Sequence, residues 1–217
     1  MKHLHDVLAD AGACDEALEW AFDLPESTCT HDAGEKCPDP LWLFWLLTEM
    51  YSDSVVSATL VVRAALAVVT EGARELPKEG QHEVLRKAIA ALNKWAAVGE
   101  DTEKLAEIRR NVLIEKQRCE YRNAAQHYAG RMRRGFLYGA VTRRLYSVSS
   151  RSNACDAVDL YHAAGDAVAV LTYGNEPQDV LRERRMNVAN IVRAAVPWSE
   201  WEQALMAWAP TRKLIVE

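Results

Sequence analysis

With 217 residues, 49% of them hydrophobic and 26% charged, the chain can build one sizeable core and is too apolar for a disordered or fibrous protein. Its formal charge of −5 is unevenly spread. Residues 1–101 carry 8 basic and 18 acidic side chains, residues 102–151 carry 12 and 4, and residues 152–217 carry 6 and 9, so the basic middle marks a candidate anion-facing surface.

The opening stretch MKHLHDVLADAG has charges where a signal peptide carries its apolar core, which predicts a cytoplasmic protein. A first helix is expected from Lys2 to a break near Gly12, and CDEALEWAF continues as a second, with Asp15 and Glu16 in its favourable first turn. Residues 24–38 read as the longest loop. Asp39 and Pro40 then supply an N-cap and a first-turn proline for LWLFWLLTEMY, whose apolar residues surround the helix and predict a central position. After a short turn at Ser52 and Asp53, a further helix is expected up to Pro77. Its apolar run, Val55 to Val69, is too short to span a bilayer and carries Arg63 at its centre, so a buried helix and no membrane contact are expected.

Another helix is predicted from Glu79 to Val98, closed by Gly99, with Asp101 or Thr102 capping the next. Residues 102–147 are periodic throughout, which predicts one long helix kinked near Gly130, Gly135 or Gly139. SVSSRSN breaks it. Helices from Asn153 to Tyr173 and from Pro177 to Val196 follow, and a last one begins at Ser199, with Ser199 and Glu202 as a capping box, and runs to Trp208. The expected fold is therefore all-α, a bundle of about seven to nine helices. A single domain over 1–217 is expected, with soft subdivisions near 99–101 and 148–152.

Three stretches, AGACDEALEWA (Ala11 to Ala21), KCPDPLWLFWLL (Lys36 to Leu47) and ALNKWAAVGEDTEKLAEIRR (Ala91 to Arg110), together resemble a family of alanine-rich helical proteins of bacteria and phages, in part labelled immunity proteins. Trp20, Trp42, Trp45 and Trp95, with Gly99 and Glu100, fall in that family's order over roughly the first half of the chain. Leu41 stands where the family has Asp, and an Arg-rich segment replaces its Ala and Tyr repeats. The resemblance implies a non-enzymatic helical protein acting in conflict between microbes or between phage and host, and transfers no catalytic residue.

The segment GRMRRGFLYGAVTRRLYSV, Gly130 to Val148, is the most distinctive feature. Arg122, Arg133 and Arg144 recur every eleven residues, close to three helical turns, so an unbroken helix would align them on one stripe. With Arg131, Arg134, Arg143 and Tyr138 they form a candidate anion- or partner-binding set, since guanidinium groups give planar bidentate donors and the aromatics can stack. The competing expectation is a core stripe through Tyr121, Ala125, Tyr128 and Met132, with the arginines bracing the acidic first half.

Five scattered cysteines, Cys14, Cys29, Cys37, Cys119 and Cys155, set no disulfide framework, so reduced thiols are expected. Cys29, His31 and Cys37, with Cys14, have the residue types of a zinc site but a loose spacing, so no metal is expected. The acid–His pairs Glu79 with His82 and Asp159 with His162 lack the further facing carboxylates of a di-iron bundle. No strand-turn-helix surrounds a nucleophile and no Gly-rich phosphate loop occurs, so no enzyme and no cofactor are expected. Trp198, Trp201 and Trp208 form a candidate interface if exposed. The leading functional expectation is an interaction protein that binds and neutralises a protein partner through the Arg-rich helix. The alternatives are a sequestering module for an anionic small molecule such as a nucleotide, and an RNA or single-strand binder. Self-association stays open.

Overall fold

The computed structural model describes residues 4–25, 30–74, 83–98, 105, 107–114, 157–172 and 176–211. They form an all-helical bundle. Its helices are α1 (Leu4–Asp10), α2 (Asp15–Phe22), α3 (Thr30–Lys36), α4 (Pro40–Ser52), α5 (Ala58–Arg74), α6 (Glu83–Val98), α7 (Ala157–Thr172), α8 (Gln178–Ala195) and α9 (Trp198–Thr211), and residues 107–114 are also helical. No described helix is long and apolar enough to cross a membrane.

The start of α4 follows from its sequence. Asp39 adopts an extended backbone and its carboxylate accepts the Leu41 N–H at 2.8 Å, satisfying one of the orphan donors of the first turn. Pro40 has no N–H to lose there. The helix is apolar on every side because it is surrounded: α5, α7 and α8 all pack against it, burying Leu43, Phe44, Leu47 and Met50. Helix α5 is the other hub, touching α4, α6, α7 and α8. Val61, Val62, Ala64, Ala65, Leu66, Val68 and Val69 of α5 are all buried, and one apolar cluster runs from Ala11 to Trp208.

Small residues let α5 and α7 approach closely. A Cβ at Gly72 would stand 2.4 Å from Val170 Cγ1, closer than two carbons can sit. Gly72→Val is accordingly expected to lower stability by the roughly 1–3 kcal/mol typical of an overpacked core, in spite of its better helix propensity. Adding Val170→Ala should recover part of that loss in thermal melts. Recovery fails if the two helices are not in register at this contact.

Three expectations need correction. The segment 24–38 is not one loop, because α3 occupies Thr30–Lys36. Its sequence THDAGEK lacks an apolar period, and tertiary contacts hold it instead: Ala33 is buried, and a Cβ at Gly34 would meet the Trp198 ring at 2.7 Å. Helix α5 begins at Ala58 rather than directly after Ser52 and Asp53, since the turn extends over residues 53–57, with Ser54 at a φ of 61°. The last helix begins at Trp198 rather than after a Ser199 cap. The Pro197 carbonyl accepts the N–H groups of Glu200 and Trp201 at 2.9 and 3.3 Å, so Ser199 is already helical. The glycine break is in place, with Gly12 at a φ of 81°. Gly99, most of the 102–147 tract and both subdivision points lie outside the described residues.

Candidate interaction surfaces

Arg122, Arg131, Arg133, Arg134, Tyr138, Arg143 and Arg144 lie outside the described residues, as do Cys29, Glu79 and His82. The C-terminal tryptophans are described, and they are not an exposed cluster. Trp201 and Trp208 are 3% and 2% exposed, and Trp198 is half-buried against the core over Gly34. Trp201, Ala204 and Trp208 share the buried stripe of α9 at three- and four-residue spacing, the pattern of a core face. Trp208 further donates its indole N–H to Asp53 Oδ2 at 2.7 Å, tying α9 to the α4–α5 turn, and Arg63 Nη2 meets Glu200 Oε2 at 2.6 Å. Trp201 and Trp208 therefore anchor α9 as core residues and offer no exposed face to a partner.

Cys37 is buried after α3, whereas Cys14 is exposed before α2. Among the described residues no group of three His, Cys, Asp or Glu is placed to hold a metal ion. Around Cys37 the contacts are structural. The guanidinium of Arg193, on α8, donates to the carbonyls of Gly34 at 3.1 Å and Cys37 at 2.9 Å, and to Asn190 Oδ1 at 2.6 Å. It thereby satisfies acceptors at the C-terminal end of α3, where helix carbonyls lack partners. Arg185, also on α8, reaches the capping Asp39 at 3.2 Å. Partial burial pulls the Arg193 pKa below its usual value.

Burial pushes the Cys37 thiol up to about 11 despite an opposing backbone hydrogen bond at Asp39 and the nearby Arg193 charge. In the folded chain it is therefore a thiol at neutral pH, a poor nucleophile and a poor zinc ligand. Iodoacetamide at pH 8 should label Cys14 and spare Cys37, read by peptide mass spectrometry, until denaturant is added. The linkage has one sign: an unfolded thiol ionises near 9.0 and the folded one near 11. This site's contribution is thus complete below pH 9.0 and is lost as pH rises through 11, so the melting temperature should fall across that window.

A groove of about 500 Å³, open to solvent, is lined by His5 of α1, by Asp15, Leu18, Glu19 and Phe22 of α2, and by Asp23 just past its end. Asp15, Glu19 and Asp23 stand four residues apart, on one helical stripe beside Leu18 and Phe22. Phe22 is 72% exposed, and its ring meets that of His5 edge-to-face with centroids 5.9 Å apart. His5 Nδ1 lies 3.3 Å from Asp6 Oδ1. The three groove carboxylates have no ion pair among the described residues. The spacing of this stripe is legible in DEALEWAFD, whereas the exposure of Phe22 is not. The chain matches no family model, no curated protein and no solved structure.

Proposed function

We propose that the chain is a non-enzymatic helical interaction protein, which binds and neutralises a protein partner through its arginine-rich segment, residues 122–144. One observation carries this: the bundle's charges are segregated rather than cancelled. The cations packed into the described body are committed locally, Arg63 to Glu200, Arg184 to Glu176 at 2.9 Å, Arg185 to Asp39, and Arg193 to two carbonyls. The segment around Arg131 to Arg144 has no such company in sequence, since no Asp or Glu occurs between Glu120 and Asp156. Cations without local counter-charges favour an external anionic surface, where several charge-assisted hydrogen bonds act on one partner.

The resemblance of the first half to proteins labelled as immunity proteins supports a role in conflict between microbes or between phage and host, inside the cell. The groove at α1 and α2 is acid-lined, so the alternatives of an anionic small molecule and of RNA draw on the same arginines and gain nothing from it. Native mass spectrometry of the protein purified from its source tests the proposal. A retained polypeptide released by salt is the expected result, and a retained nucleotide or RNA in its place would replace it.

A further inference from the structure

We propose that the groove at α1 and α2 receives the arginine-rich segment of a second copy of this chain, so that the protein self-associates through its own opposite charges. The inference rests on the segment being a contact surface, as proposed above, and names a partner for it. Helix α2 carries an electrostatic arrangement that it does not resolve alone. Asp15 with Glu19, and Glu19 with Asp23, are like-charge pairs one turn apart, which weaken a helix. Glu19 and Asp23 also sit at the negative end of the helix dipole, where cations are favoured, and the last turn of α2 contains no basic residue. Beside these carboxylates Phe22 presents a ring that is 72% exposed.

Carboxylates lining a groove next to an open aromatic face match a guanidinium, which pairs bidentately with the former and stacks on the latter. The chain itself supplies the complement. Residues 130–148 hold five arginines among Phe136, Tyr138 and Tyr146, with no acid between them. A groove near 500 Å³ admits a few side chains, so the expected association is weak, salt-sensitive and dependent on concentration. Because self-association and partner binding would draw on the same arginines, the two should compete.

Sedimentation equilibrium of the full chain over a concentration series, in low salt and in 0.5 M NaCl, tests this. The expected result is a concentration-dependent mass at low salt that falls to the monomer at high salt. Glu19→Gln with Asp23→Asn, and separately Phe22→Ala, should weaken the association at least tenfold while leaving the melting temperature unchanged or raised. The charge-reversed chains Glu19→Arg/Asp23→Arg and Arg133→Glu/Arg134→Glu should each associate poorly alone and pair when mixed. A synthetic peptide of residues 130–148 should bind the wild type and dissociate the assembly. A monomer at all concentrations overturns the inference, as does peptide binding that leaves a monomeric mass unchanged, which would mean closure within one chain. So does a groove variant that associates like the wild type. In that last case, loss of partner binding in a chain with Arg133, Arg134, Arg143 and Arg144 all changed to Gln would leave the proposed function standing, whereas partner binding that survives there would remove the proposed function as well.

Discussion

Phe44→Ala is expected to cost about 3–5 kcal/mol, the range for deleting a fully buried aromatic ring, and with it a large fraction of the stability of a protein this size. Phe44 is 0% exposed and stands midway along α4, the helix that α5, α7 and α8 all share. The loss has two sources: apolar surface that no longer leaves water on folding, and a cavity that three separate helices cannot jointly close. Its counterpart is Phe22→Ala. That ring lies largely in water at the end of α2, so its removal should stay within about 0.5 kcal/mol, as for other surface substitutions away from special features. Urea denaturation followed by tryptophan fluorescence measures both. Equal losses would mean that α4 is not the centre of the bundle.

Much of this architecture was legible because the physics that decides it is local. Asp39 and Pro40 announce the start of α4 by their own chemistry, the uninterrupted apolar character of LWLFWLL requires a surrounded helix, and Gly12 supplies the positive φ at which α1 ends. What escaped is decided by partners distant in sequence. Helix α3 exists because Arg193, more than 150 residues later, binds the carbonyls at its end and because Trp198 lies over Gly34. No periodicity in THDAGEK reports that. The tryptophans of α9 carried an ambiguous signal for the same reason: a Trp near a terminus can face water or core, and only the Asp53 acceptor and the Arg63–Glu200 pair settle α9 against the α4–α5 side of the bundle. The groove at α1 and α2 was written in a four-residue spacing, yet its depth and the exposure of Phe22 depend on where α1 folds back.

Changing Arg133, Arg134, Arg143 and Arg144 together to Gln is expected to abolish partner binding while leaving the melting temperature within a few degrees of the wild type. Exposed ion pairs contribute no more than about 1 kcal/mol each, so a solvated set of arginines can be neutralised at little cost to the fold. Binding responds differently, since each charge-assisted hydrogen bond to a partner contributes about 1.5–3 kcal/mol and four cations acting on one surface are lost at once. Salt should report the same asymmetry, weakening wild-type association steeply and that of the variant hardly at all. If the arginines instead brace the acidic first half, the order of damage reverses. Differential scanning calorimetry and an affinity measurement on the same preparation separate the two cases. A lowered melting temperature with unchanged affinity would assign the arginines to the fold and leave the partner to another surface.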